Sequence, residues 1–143
     1  GFDSLSPFLD YKDKINFILA LTSNKGAEDF EKLRLSDGKY LYQKVIEKVA
    51  EWNKNQNCGI VFGATNSSEL RDNISSLKNL PVLVPGVGAQ GGSIEEVVKI
   101  FNENNSDQFL INVSRSLIYA DPTINFAATT SKTIKDYNSL IKS

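Results

Sequence analysis

The sequence predicts an α/β fold made of four strand–helix units in a row. Two observations carry this reading. Four short apolar runs recur along the chain, and most stretches between them repeat their apolar residues at helical spacing. The runs are unbroken rather than alternating, as in parallel strands shielded on both faces.

The first run, residues 16–21, ends at Thr22, Ser23 and Asn24. Leu5, Phe8 and Leu9 predict a short helix ahead of it. A long connection, residues 25–39, follows, of the kind that lies over active sites in α/β proteins. Leu41, Val45, Val49 and Trp52 then share one face of a helix. The second run, residues 58–64, leads to Asn66, which reads as the cap of a helix carrying Leu70, Ile74 and Leu77. The third, residues 81–85, ends in glycines. Ser93 with Glu96 then forms a capping-box pattern ahead of Val97, Val98 and Phe101. The fourth, residues 109–113, ends at Ser114, Arg115 and Ser116. Asp121 and Pro122 predict the start of a last helix whose inner face holds Ala127, Ala128, Ile134, Tyr137 and Ile141. Four such units suit either a small doubly wound sheet or half of an eightfold barrel, and periodicity does not separate the two.

Composition narrows the function classes. The chain has 143 residues, 41% hydrophobic and 23% charged, which fits one globular domain. Its net charge of −1 offers no general attraction to nucleic acid or to an anionic membrane. The single cysteine, Cys58, rules out an intrachain disulfide and fits a reducing compartment. No apolar run reaches transmembrane length. There is no histidine, so imidazole chemistry and histidine metal ligands are excluded within the chain. There is also no methionine, and a trimmed or partial chain is therefore one expectation.

The densest candidate site is residues 85–92, Pro-Gly-Val-Gly-Ala-Gln-Gly-Gly, between a buried strand and a capped helix. Glycines there allow positive φ and close approach of an anion to the backbone, and Gln90 adds a side-chain amide. The next strand ends at Arg115, whose planar guanidinium suits bidentate phosphate binding. Barrel phosphate sites commonly use the loops after strands seven and eight; if these are strands seven and eight, the loop and Arg115 converge on one phosphate. Residues 86–91 also fit G-x-G-x-x-G, the dinucleotide fingerprint, and Arg115 is compatible with an NADP phosphate. The acid expected about 20 residues later, at the end of the next strand, is missing. Thr22 and Ser23 can read the edge of a polar ring. The carboxylates, Glu31 and Glu69 among them, fall in loops, helices or caps, and no acid–base dyad or triad emerges. Cys58 starts a strand at the opposite face and reads as a packed thiol.

Several of these blocks, in this order, resemble orotidine 5′-monophosphate decarboxylase of the longer bacterial and protozoal type. They are residues 1–5 (Gly-Phe-Asp-Ser-Leu), 19–24 (Leu-Ala-Leu-Thr-Ser-Asn), 63–65 (Gly-Ala-Thr), 85–92 and 112–116 (Asn-Val-Ser-Arg-Ser). The last two together are the specific part. The resemblance implies a (β/α)8 TIM barrel of which only the C-terminal half, strands five to eight and their helices, lies in residues 1–143. It implies conversion of orotidine 5′-monophosphate to uridine 5′-monophosphate (UMP) and CO2, in a cytoplasmic homodimer without metal or organic cofactor. Gln90 would touch the phosphate and the ribose or base side. Arg115 would grip the phosphate with backbone around Ser114 and Gly91. Thr22 and Ser23 would contact the pyrimidine, and Pro85 would pack on it.

The family's Lys-Asp-x-Lys-x-x-x-Asp array is absent. Neither Asp13 with Lys14 nor Asp136 with Tyr137 supplies it. The resemblance therefore implies that catalytic residues belong to the barrel's N-terminal half, which would be this half's partner. A half-barrel alone is expected to expose two sheet edges and one face. The alternative reading is a non-catalytic phosphate- or nucleotide-binding α/β domain. No nucleic-acid or membrane partner is expected.

Overall fold

A computed structural model describes residues 1–142. Its centre is a four-stranded parallel sheet: β1 (Asn16–Leu21), β2 (Cys58–Phe62), β3 (Val82–Pro85) and β4 (Phe109–Asn112). The strands lie in sequence order, β1-β2-β3-β4. Around them run α1 (Phe2–Leu9), α2 (Leu41–Trp52), α3 (Ser67–Asn73), α4 (Ile94–Glu103), α5 (Arg115–Ile118) and α6 (Phe126–Lys142). Two short 3-10 turns, Lys25–Asp29 and Ile74–Leu77, complete the regular structure.

This order bears on one of the two predicted architectures. A doubly wound sheet reverses its strand order at a switch point and carries helices on both faces. Here the order never reverses, so the doubly wound reading and the dinucleotide crevice that goes with it are both set aside.

The register explains the two faces. Ile18, Ile60, Val82 and Phe109 form one cross-sheet row, and Ile60 and Val82 are fully buried in the core. Ala20, Phe62 and Val84 are buried with them, together with Ile46 and Val49 of α2 and Val97 and Phe101 of α4. The neighbouring row, Leu19, Val61, Leu83 and Leu110, points the other way. Its outer members Leu19 and Leu110 are 52% and 57% exposed. Unbroken apolar runs predicted shielding on both faces; among the described residues the second face is only partly covered.

The helices differ from the sequence reading in three respects. In α2 the buried stripe is Tyr42, Ile46 and Val49 rather than Leu41, Val45 and Trp52. The latter three turn toward α1 and line an apolar groove of about 470 Å³ with Leu5 and Leu19. The last helix starts at Phe126, not at Pro122, because Asp121 accepts a hydrogen bond from the Thr123 N–H (2.7 Å) and folds 121–125 into a turn. Ala127 and Ala128 consequently stay exposed, whereas Tyr137 and Ile141 reach the core. The residues just after β4 coil into α5, which no periodicity announced.

Candidate functional site

Parallel strands end together, so their C-terminal ends form one edge where consecutive βα loops meet. The sequence candidates all lie there. Thr22 and Ser23 follow β1, residues 63–66 follow β2, Pro85 closes β3 ahead of the glycine loop, and Ser114 and Arg115 follow β4.

Three of these exits are stitched to one another. Ser23 Oγ donates to the Pro85 carbonyl at 3.0 Å, across β2. The Ala64 N–H donates to that same carbonyl at 2.8 Å. Thr65 Oγ1 donates to Ser23 O at 3.2 Å, and Asn66 Nδ2 to Thr22 O at 2.8 Å. Asn66 was expected to cap a helix. It stands at the N-cap position of α3, yet its side chain makes no cap bond and is buried, holding the β1 exit instead. The amide therefore serves a long-range contact, invisible to a local pattern.

Gly63 makes this closeness possible. A Cβ at that position would lie 2.4 Å from Ser23 Oγ and 2.5 Å from Ser23 N. Gly92 is similarly confined, with Ala64 Cβ at 2.5 Å and Gly86 O at 2.8 Å from a built Cβ.

Thr22 is clamped from a second side. Its N–H donates to Glu31 Oε2 at 2.6 Å, and its hydroxyl lies 3.1 Å from both Glu31 carboxylate oxygens. Glu31 comes from the long 25–39 connection, and sequence reasoning left it as an unplaced carboxylate. The only hint lay in its position on a βα loop. The same connection is anchored by Lys32, whose ammonium reaches Glu69 Oε1 at 2.7 Å and Glu28 Oε1 at 3.2 Å. The hydrogen bond to Glu69 is the main cause holding the Lys32 ammonium above its ordinary range; burial opposes it. For Glu69, burial pushes upward, and the hydrogen bonds from Lys32 and Ser68, a backbone hydrogen bond and the charge of Lys32 together outweigh it, leaving its carboxyl below the usual value.

The glycine loop forms a compact turn. Gly86, Gly88 and Gly91 all have positive φ (97°, 74° and 93°), a region that L side chains rarely occupy. The Gly88 N–H donates to Gly92 O at 3.0 Å, Gly91 N–H to Gly88 O at 2.8 Å, and Gly92 N–H to Gly86 O at 3.1 Å. The Gly91 N–H is thus engaged within the loop. What Gly91 offers outward is space, since nothing lies within 4 Å of a built Cβ. Gln90 is exposed at the loop tip, and its Oε1 comes within 2.9 Å of a Cβ built on Gly86. That built Cβ would sit 2.1 Å from Ser23 Oγ, so Ser23, Pro85 and Gln90 converge around Gly86.

Arg115 opens α5 and is solvent-exposed, entering none of the ion pairs among the described residues. The link between its helix and the loop is Ser116, whose Oγ accepts from the Ala89 N–H at 3.1 Å. The arrangement offers a loop with left-handed glycines, a side-chain amide and a guanidinium on adjacent strand ends. That combination suits an anionic, phosphate-like group with a polar ring near β1. Cys58 lies at the far end of the sheet, 1% exposed, its thiol pushed up by burial, in keeping with a packing role. No described helix is long and apolar enough to cross a membrane.

Residues 1–129 match the orotidine 5′-phosphate decarboxylase / HUMPS family. The chain is 48% identical over 133 residues to an orotidine 5′-phosphate decarboxylase of Herpetosiphon aurantiacus, covering 92% of this chain and 48% of that one. A Porphyromonas gingivalis protein of the same name is 48% identical over 128 residues, covering 90% and 46%. Among solved structures, Leishmania donovani UMP synthase superposes with a TM-score of 0.82 at 39% identity, covering 99% of this chain and 31% of that one. Leishmania donovani OMP decarboxylase gives 0.81 at 35% identity, covering 100% and 54%. The chain spans about half the length of the curated relatives it matches.

Proposed function

The chain belongs to the orotidine 5′-phosphate decarboxylase / HUMPS family, and on that premise we propose that residues 1–143 are the C-terminal half of one (β/α)8 barrel domain that decarboxylates orotidine 5′-monophosphate to UMP. The observation that carries this is the placement of the glycine loop and Arg115 at adjacent strand ends of a singly wound parallel sheet. The part-exposed row Leu19, Val61, Leu83 and Leu110 becomes the barrel's inner wall, and the free edges of β1 and β4 pair with the other half.

In this reading Arg115 takes the phosphate oxygens through its fork of N–H donors, with Ser114 and Gly91 shaping the surrounding backbone. Gln90 spans the phosphate and the ribose or base. Thr22, Ser23 and Pro85 form the wall against the pyrimidine. The hydroxyl protons of Thr22 and Ser23 are directed at Glu31 and the Pro85 carbonyl, so both oxygens face a ligand mainly as acceptors. During the reaction the bond between C6 and the carboxylate breaks, CO2 departs, and a proton takes its place at C6. The residues present do not supply that proton, which comes from the Lys/Asp array of the other half. Their contribution is remote binding energy: phosphate contacts hold the base where the array can act. The working molecule is a cytoplasmic homodimer needing no metal or organic cofactor.

The test is release of CO2 from orotidine 5′-monophosphate by the full-length protein, alongside UMP binding. Decarboxylation with UMP binding is the expected result. UMP binding without decarboxylation moves the assignment to a non-catalytic nucleotide-binding domain, and binding of neither overturns the reading.

A further inference from the structure

We propose that Ser116 is a positioning residue that locks the glycine loop to the helix carrying Arg115, so that the two grip a phosphate ester as one unit. The inference rests on the phosphate-site reading above. Two observations converge on it. The hydroxyl oxygen of Ser116 accepts the Ala89 N–H at 3.1 Å, joining positions 27 residues apart and making a direct side-chain link between the loop and α5. The second is the space it occupies. A Cβ on Gly88 would fall 2.5 Å from Ser116 Oγ, so the loop backbone lies directly against this hydroxyl.

The physical need is clear from the rest of the loop. Gly88, Gly91 and Gly92 N–H groups are satisfied by carbonyls within the loop, which shapes the turn but does not aim it. Glycines also give the loop the largest conformational freedom to lose on ordering. Arg115 begins a helix of only four residues, itself held to α6 by Thr130 Oγ1 donating to Leu117 O at 2.8 Å. Without Ser116, loop and arginine are placed by separate elements, and ligand binding must order them relative to each other. With it, the ordering is already made, and binding of the phosphate is correspondingly tighter. Ser116 touches the loop and not the reacting atoms, so its effect is on the grip.

The experiment compares full-length wild type with Ser116→Ala and Gly88→Ala, using UMP as the ligand and amide hydrogen exchange at Ala89 as a second readout. Ser116→Ala should weaken UMP by about three- to tenfold, the scale of one net hydrogen bond, and should speed exchange at Ala89. Gly88→Ala, whose methyl displaces the hydroxyl and whose φ of 74° adds strain of its own, should weaken UMP at least as much as Ser116→Ala. UMP binding equal to wild type in Ser116→Ala overturns the proposal, as does weaker binding with Ala89 exchange unchanged. Wild type that fails to bind UMP overturns the phosphate-site reading and this inference with it; wild type that binds normally beside an unaffected Ser116→Ala overturns this inference alone.

Discussion

Adding one methyl at Gly63 should damage both stability and the site, and the structure sets the scale. The new Cβ would lie 2.4 Å from Ser23 Oγ, 2.5 Å from Ser23 N and 2.7 Å from the Thr22 carbonyl carbon. Two of these three atoms are backbone and cannot rotate away. Relief requires the β1 and β2 exits to separate, and overpacking of this kind costs about 1–3 kcal/mol. The Ser23 hydroxyl must move as well, which breaks its bond to Pro85 O at a further ~1 kcal/mol. Gly63→Ala should therefore destabilise the protein by about 2–4 kcal/mol. Gly91→Ala is the control: it meets open space, but its φ of 93° should cost about 1–2 kcal/mol. Urea unfolding of both variants, with unchanged slopes, measures the difference. A Gly63→Ala protein within about 0.5 kcal/mol of wild type, or more stable than Gly91→Ala, would refute the packing argument.

Three other outcomes are expected. Arg115→Ala should weaken UMP by roughly tenfold to a hundredfold, the loss of a charge-assisted hydrogen-bond pair, while leaving thermal stability nearly unchanged because the side chain is exposed; calorimetric titration and a melting curve report the two. Glu69 has a depressed carboxyl value in the folded state, so its contribution is present above its unfolded pKa of about 4.3 and is lost as pH falls through the folded value. The stability gap between wild type and Glu69→Gln should accordingly shrink on acidification below about pH 4, and a gap that widens there contradicts the sign. Cys58, buried and with its thiol pushed up by burial, should react with a disulfide reagent only as fast as the protein opens. Modification at the rate of a free thiol in native buffer would place it elsewhere.

Much of the architecture follows from local pattern. Apolar runs bounded by polar or glycine residues marked all four strands to within about two residues, because a run of that length buried in a sheet has few other solutions. The glycine loop and Arg115 were legible for a related reason: positive φ and a guanidinium at strand ends are local chemical facts. Other features depended on what each segment packs against. Leu41/Val45/Trp52 and Tyr42/Ile46 lie on adjoining faces of α2, and periodicity does not say which one meets the sheet. Asp121 and Pro122 looked like a helix start until the Asp121 carboxylate engaged the Thr123 N–H.

What the sequence alone determined is the α/β class, the repeated strand–helix order and the chemistry offered at each strand end. The tertiary structure decided which strand lies beside which, and with that the single winding of the sheet. It also decided the pairings across long separations: Asn66 with Thr22, Glu31 with Thr22, Ser23 with Pro85 and Ser116 with Ala89. The reason is that a polar side chain near a helix start or in a loop has local and distant partners of similar strength. Only the packed sheet, by bringing the strand ends to one edge, gives the distant partner the advantage.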